Sequence, residues 1–134
     1  MKRLFRLKRD QKGAAALEFA LAAPVLILFI VGIVQCGVLL MANNGLDNAV
    51  GEGARYATIF PQPTEAQITQ LMTDRRFGLD PTKIAGPTYA TGQTGGSNYV
   101  DITMSYTVTP DFIFFTLPPM TLTETRRAFV HFDD

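Results

Sequence analysis

One long apolar run constrains this chain more than any other feature. Residues 19–42 are 24 consecutive positions, among which only Gln35 has a strongly polar side chain. At about 1.5 Å per residue, a helix of this length extends roughly 36 Å, enough to cross a hydrocarbon core of about 30 Å. A secretory signal peptide has a shorter apolar region followed by small residues, and Leu40-Met41-Ala42 places a large leucine there. We therefore predict a transmembrane helix.

Positive charge is concentrated before this run. Residues 1–13 contain six lysine or arginine residues against one aspartate, whereas the whole chain is neutral. Basic residues beside a transmembrane helix stay in the cytoplasm, so we expect a cytoplasmic N-terminus and an exported C-terminal part. Nucleic-acid binding requires a folded basic face with interleaved aromatic residues, and we expect no nucleic-acid partner.

An acidic residue lies at the start of the apolar segment. Glu18 follows Gly13 by five positions, and most of the residues between them are small alanines. A carboxylate deep in hydrocarbon costs on the order of 3 kcal/mol or more, so it is usually retained for a partner or a role. Pro24, about one and a half turns later, removes a backbone donor and favours a kink in the helix.

Beyond the membrane, the sequence predicts a continuing helix and a second, shorter one. Residues 43–60 keep helical spacing, and we expect a break near Asn43-Asn44-Gly45 because these residues are weak helix formers. Prolines then stop this helix. Thr64 and Gln67 have the spacing of a capping box and predict a helix over residues 65–77, with Gly78 as its C-terminal cap.

The C-terminal part predicts strands. Residues 79–98 are rich in glycine, proline and asparagine and are interpreted as a loop. Apolar residues alternate over 99–109, and a second strand is expected over 121–132. Two strands rarely stand alone, so we expect the pair either to pack on the helices or to recruit a third edge, from the loop near Tyr89 or from another subunit. The fold class is therefore α+β, with a leader (1–13), a helical segment (14–60) and a small exported domain (61–134).

Residues that could support catalysis are few. His131 is the only histidine, and Cys36, the only cysteine, lies inside the apolar run. No cluster with metal-ligand spacing and no set of nucleophile, base and orienting residue is found. We expect no enzyme activity, no metal and no cofactor.

Four motifs together are similar to a known family. They are Gly13 to Phe19 with Glu18 at the fifth position after the glycine, Ala23-Pro24, the stretch Gly32-Ile33-Val34-Gln35, and Glu52-Gly53-Ala54-Arg55-Tyr56-Ala57. In this combination the chain resembles the TadE-like minor pilins of tight-adherence (Flp-type) pili, which belong to the type IV pilin class. The resemblance covers mainly residues 13–60.

The resemblance implies a life cycle. A prepilin peptidase would cut between Gly13 and Ala14, and the protein would then join a pilus or lie beside it in the inner membrane. Its partners would be that peptidase, other pilin subunits, the assembly platform and membrane lipid, and its role would be structural, in pilus assembly, initiation or adhesion. Two alternatives remain: a signal-anchored envelope protein whose outer domain binds a partner, and a pseudopilin of a secretion system.

Several residues are candidates for assembly contacts. Glu18, Phe19 and Pro24 form the first group. Glu18 either pairs with the new amine of Ala14 on a neighbouring subunit or acts as a helix N-terminal charge among lipid headgroups. The second group contains Gln35, Glu52, Arg55 and Tyr56. Gln35 bonds either across helices or to backbone, and Glu52 with Arg55 forms either an ordinary surface pair or a subunit contact.

Overall fold

The computed structural model describes residues 11–130, with side chains from residue 13 onward. The expectations for the first ten residues of the basic leader and for His131 lie outside the described residues. The elements are α1 (Gln11–Ala57), α2 (Glu65–Arg75), a 3-10 turn (Pro81–Lys83), β1 (Ile84–Thr94), β2 (Ser97–Val108), β3 (Asp111–Phe112), β4 (Phe115–Thr116) and β5 (Met120–Val130). The predicted α+β class is confirmed.

Helix α1 is a single helix of 47 residues. The predicted break at Asn43-Asn44-Gly45 is wrong, because Ala42, Leu46 and Ala49 pack into the core of the lobe and this burial outweighs local propensity. The helix also continues through Pro24. The first buried residue of α1 is Ala42, so the segment before it projects from the lobe.

Helix α2 begins at the predicted capping box. The Thr64 hydroxyl accepts a hydrogen bond from the Gln67 backbone N–H at 3.3 Å, and Gln67 Oε1 accepts one from the Thr64 N–H at 2.9 Å. Ile68 and Met72 are buried against α1 and anchor the helix. It ends at Arg75, two residues before the predicted end, and Gly78 then takes a left-handed φ of +74°.

The main sheet has three antiparallel strands in the order β1-β2-β5. The predicted pair corresponds to β2 and β5. The interpretation of residues 79–98 as a loop is wrong for 84–94, which form β1, the strand that contains Tyr89. Pro87 lies where the register between Ala85 and Thr88 shifts, so its missing N–H falls at an irregular point of an edge strand, where proline is tolerated.

The core lies between the C-terminal part of α1, α2 and one face of the sheet. Alternate residues of β2 point into it, as the period of two predicted: Val100, Ile102, Met104, Tyr106 and Val108. Strands β3 and β4 form a separate small hairpin from the connection between β2 and β5, and β3 contacts α1.

Candidate assembly site on the long helix

The N-terminal part of α1 presents its apolar side chains to the surroundings. In residues 13–41, which we call the stalk, no residue is buried. Phe19 is 71% exposed and Ile33 is also 71% exposed. The helix is long and apolar enough to cross a membrane, and only 6% of its most apolar window is buried. The stalk is therefore compatible with a single-pass membrane anchor.

The proposed cleavage point lies in the first turns of this stalk. Gly13 and Ala14 are exposed, and among the described residues no atom outside the adjacent residues and the helix's own backbone lies within 4 Å of the place where a β-carbon on Gly13 would stand. The helix has no acidic residue in its first turn. A glycine inside a helix is up to about 1 kcal/mol less favourable than alanine, so Gly13 weakens the helix at this point. The bond between Gly13 and Ala14 is exposed and lies within α1.

Glu18 lies about one turn beyond Ala14, or about 6 Å along the axis. Its side chain is exposed and forms no ion pair with any residue that the structure describes. Phe19 beside it is exposed as well. Pro24 is exposed and lacks the N–H that would bond the carbonyl of Ala20. These stalk residues are therefore free to meet lipid or a neighbouring subunit.

Gln35 contacts a part of the chain that lies 76 positions later in the sequence. Its side-chain amide donates a hydrogen bond to the backbone carbonyl of Asp111 in β3. Phe112 follows, and its ring lies 3.7 Å from the place of a β-carbon on Gly32. The small residue at position 32 therefore admits an aromatic ring of the chain's own lobe. The only signal in the sequence is the apolar, proline-flanked stretch 110–120.

The motif of residues 52–57 divides into two faces. Gly53, Ala54 and Ala57 are buried, and a β-carbon on Gly53 would stand 2.6 Å from the sulfur of Met72. These small residues allow α2 to approach α1 closely. The polar residues of the motif point outward.

On that outer face, Arg55 binds Glu52 through two hydrogen bonds, of 2.8 and 3.2 Å. These bonds and the charge of the guanidinium lower the pKa of Glu52, and the same contacts raise the pKa of Arg55. Tyr56 is half-buried and lines a shallow depression with Gln67 and Leu71 of α2. The structure thus brings Glu52, Arg55 and Tyr56 together but leaves them far along α1 from Glu18.

Two arginines of β5, Arg126 and Arg127, form ion pairs that the sequence does not predict. Arg126 of β5 binds Asp47 of α1 and also Glu124, at 3.0 Å. On the outer face of the sheet, Arg127 binds Asp101 at 2.7 Å and lies 3.7 Å from the ring centre of Tyr99. Within residues 13–130, no group of three metal-ligating side chains is found.

A comparison with known protein families identifies the N-terminal part of α1. The model of the TadE-like protein family matches residues 13–55. This segment is TadE-like. The resemblance inferred from the sequence motifs is thereby confirmed, and it associates the protein with tight-adherence pili. The match covers about a third of the chain, all within α1, and ends before α2 and the sheet. No curated protein and no solved structure matches the chain.

Proposed function

We propose that this TadE-like protein is a structural minor pilin or pseudopilin of a tight-adherence pilus. Prepilin peptidase removes the basic leader between Gly13 and Ala14 at the cytoplasmic face of the inner membrane. The processed subunit then enters the pilus or its assembly machinery with the lobe outward. The observation that carries this proposal is the stalk, a TadE-like helix that no part of the chain described by the structure buries.

An exposed apolar helix of this length must be buried against lipid or protein in every state of the protein. Burial of apolar surface contributes about 25 cal/mol per Å², so leaving the stalk in water would be very unfavourable. Lipid covers it in the membrane, and the stalks of neighbouring subunits cover it after extraction. The same side chains serve both states because neither environment requires polar contacts along most of the helix.

Glu18 is the one charged residue of the stalk, so it does require a polar contact. Cleavage after Gly13 creates an amine on Ala14 that is largely protonated near neutral pH. An unpaired carboxylate in a low-dielectric environment is costly, and an amine from the next subunit offsets that cost only when the two helices dock in the right register. The exposed position of Glu18 leaves it accessible to such a partner. Pairing therefore selects one axial alignment of the stalks.

The lobe acts in this proposal as a binding and packing surface and not as a catalyst. Its polar side chains pair with each other on the sheet and on α1, as Asp101 does with Arg127 and Glu52 with Arg55. These outward-facing pairs are available for contacts with other subunits or with the surface to which the pilus attaches.

Processing and location test the proposal together. The native protein should be shorter by the 13-residue leader in cells with prepilin peptidase and full-length in cells without it. The processed form should appear among sheared pili. A full-length protein that stays in the membrane in both strains would identify a signal-anchored envelope protein instead. A processed protein that is absent from pili and required for secretion would identify a secretion pseudopilin.

A further inference from the structure

The hairpin between β2 and β5 is a second apolar surface beside the stalk. We define the aromatic hairpin as residues 111–117, which contain β3 and β4. Ile113 and Phe114 at its tip are 68% and 61% exposed, and Phe115 is also exposed. Asp111, at the base of the hairpin, is the only charged residue from 111 to 120. A contiguous apolar patch of this kind marks an interaction site on a protein surface.

The position of the hairpin along α1 indicates what that site meets. It contacts α1 at Gly32 and Gln35. These residues lie 14 and 17 positions after Glu18, or about 21 and 26 Å along the helix. With Glu18 at the inner edge of a hydrocarbon core about 30 Å thick, the contacts fall roughly 4 to 9 Å inside the opposite edge. Interfacial apolar segments insert to about this depth, 5 to 10 Å.

Part of the hairpin backbone is hydrogen-bonded within the chain. The Leu117 N–H donates to the carbonyl of Pro110 at 2.9 Å and closes the base of the hairpin. Asp111 pairs with Thr116 and Phe112 with Phe115 in the β3–β4 ladder. Pro110, Pro118 and Pro119 have no N–H to satisfy. The Gln35 amide, the one strongly polar group of the apolar run, bonds the hairpin backbone, which lowers the cost of both groups in lipid.

The hairpin also extends the surface that the stalk presents to lipid. Phe112 lines an open apolar groove together with Leu28, Phe29 and Ile33 of the stalk. Its ring stacks on Phe115, with ring centres 4.9 Å apart. The exposed surface is therefore continuous from the stalk to the tip of the hairpin, so the medium that surrounds one reaches the other.

We propose that the aromatic hairpin inserts into the phospholipid interface of the leaflet opposite the N-terminus and holds the base of the lobe against the membrane. This inference requires α1 to span a bilayer, which is part of the proposed function. Extraction of the subunit into a pilus then has to withdraw two membrane contacts, the stalk and the hairpin.

Tryptophan fluorescence of the full chain in vesicles tests the inference, because the chain contains no tryptophan of its own. Phe114→Trp reports on the hairpin. Leu26→Trp reports on the middle of the stalk, where the side chain is exposed. Phe129→Trp is the matched control, since Phe129 is 55% exposed but lies in the lobe beside Thr58, beyond the end of α1. The vesicles contain phosphatidylglycerol and phosphatidylcholine with bromine on the acyl chains near the headgroup or near the chain end.

We expect Phe114→Trp to lose emission most strongly with bromine near the headgroup, Leu26→Trp with bromine near the chain end, and Phe129→Trp with neither. Loss for Leu26→Trp but none for Phe114→Trp would overturn the hairpin insertion and leave the membrane anchor intact. No loss for either would overturn the anchor and the insertion together. Blue-shifted emission of Phe114→Trp without quenching, which disappears when the protein is diluted in lipid, would show that a second copy covers the hairpin and would also overturn the proposal.

Discussion

The carbonyl oxygen of Phe77 lies directly against Gly45, so close that a β-carbon at position 45 would overlap it. The connection after α2 therefore rests on the backbone of α1 at the point where the stalk enters the lobe. Leu79 follows and is buried at the same place. This contact explains why a weak helix former stands in the middle of a continuous helix.

Gly45→Ala should destabilise the lobe, whereas Gly51→Ala should stabilise it. The first change forces backbone apart and should cost about 1 to 3 kcal/mol of unfolding free energy, as overpacking of cores usually does. The second adds a methyl group in open space and should contribute up to about 1 kcal/mol through helix propensity. Hydrogen exchange of β2 amides in the detergent-solubilised chain measures both. Equal effects of the two variants would contradict the close contact.

Gly13→Val should block removal of the leader, and Gly37→Val should not. A β-branched residue stiffens the backbone at the proposed cleavage point, where glycine opens easily. Position 37 has the same open surroundings as position 13 but lies far from the cut. An immunoblot from cells that express prepilin peptidase separates full-length from processed protein. Normal processing of Gly13→Val would place the cleavage point elsewhere.

Glu18→Gln should be processed normally but enter pili about tenfold less or worse. The amide keeps the size of the side chain and removes the charge that would pair with the Ala14 amine, and breaking a buried pair is costly. Glu65→Gln at the exposed start of α2 is the control and should leave incorporation unchanged. The ratio of protein in sheared pili to protein in membranes measures the effect. Equal ratios for the two variants would remove the assembly role of Glu18.

Gln35→Leu should loosen the aromatic hairpin while the lobe stays folded. Side-chain hydrogen bonds between helices in membranes are worth under about 2 kcal/mol, and we expect a similar value for the bond from Gln35 to the hairpin. Its loss should therefore raise the hydrogen-exchange rate of the hairpin amides by up to about 30-fold. Val34→Leu, which alters a neighbouring exposed side chain, should change little. Unchanged exchange at the Leu117 amide in Gln35→Leu would show that the side-chain bond does not hold the hairpin.

The lobe should lose stability in acid, in part through Asp101. Hydrogen bonds from Arg127 lower the pKa of Asp101 in the folded state. A lowered pKa contributes stability that is complete above the unfolded value of about 3.9 and is lost as the pH falls through the folded value. Asp101→Asn should therefore be less stable than the native chain at pH 7 and lose less on acidification. A parallel fall of both proteins below pH 4 would assign the acid sensitivity to other groups.

Local sequence signals predicted the elements that depend on short-range chemistry. The capping box of Thr64 and Gln67 lies within four residues, and the alternation along β2 reports burial of one face directly. Both predictions are confirmed. Glu18 and Gly13 stand out in the same way, by their spacing to the apolar run, and their roles stay predictions.

Long-range contacts account for what the sequence did not reveal. Strand β1 contains Gly86 and Pro87 and has no clear alternation, and it forms because β2 offers it a paired edge. The glycine at position 45 of the unbroken helix α1 is explained by Phe77, 32 residues later, whose carbonyl leaves no room for a β-carbon. The bond between Gln35 and Asp111 joins residues 76 positions apart. No local pattern encodes such pairs.

Continuity of α1 has a mechanical consequence. About 24 Å of the same helix, residues 42–57, lies within the lobe and is fixed there by its buried face. A change in the tilt of the stalk next to the lobe therefore rotates the lobe together with it. Between Pro24 and the lobe the helix is unbroken, so a force on that part of the stalk is transmitted directly to the lobe.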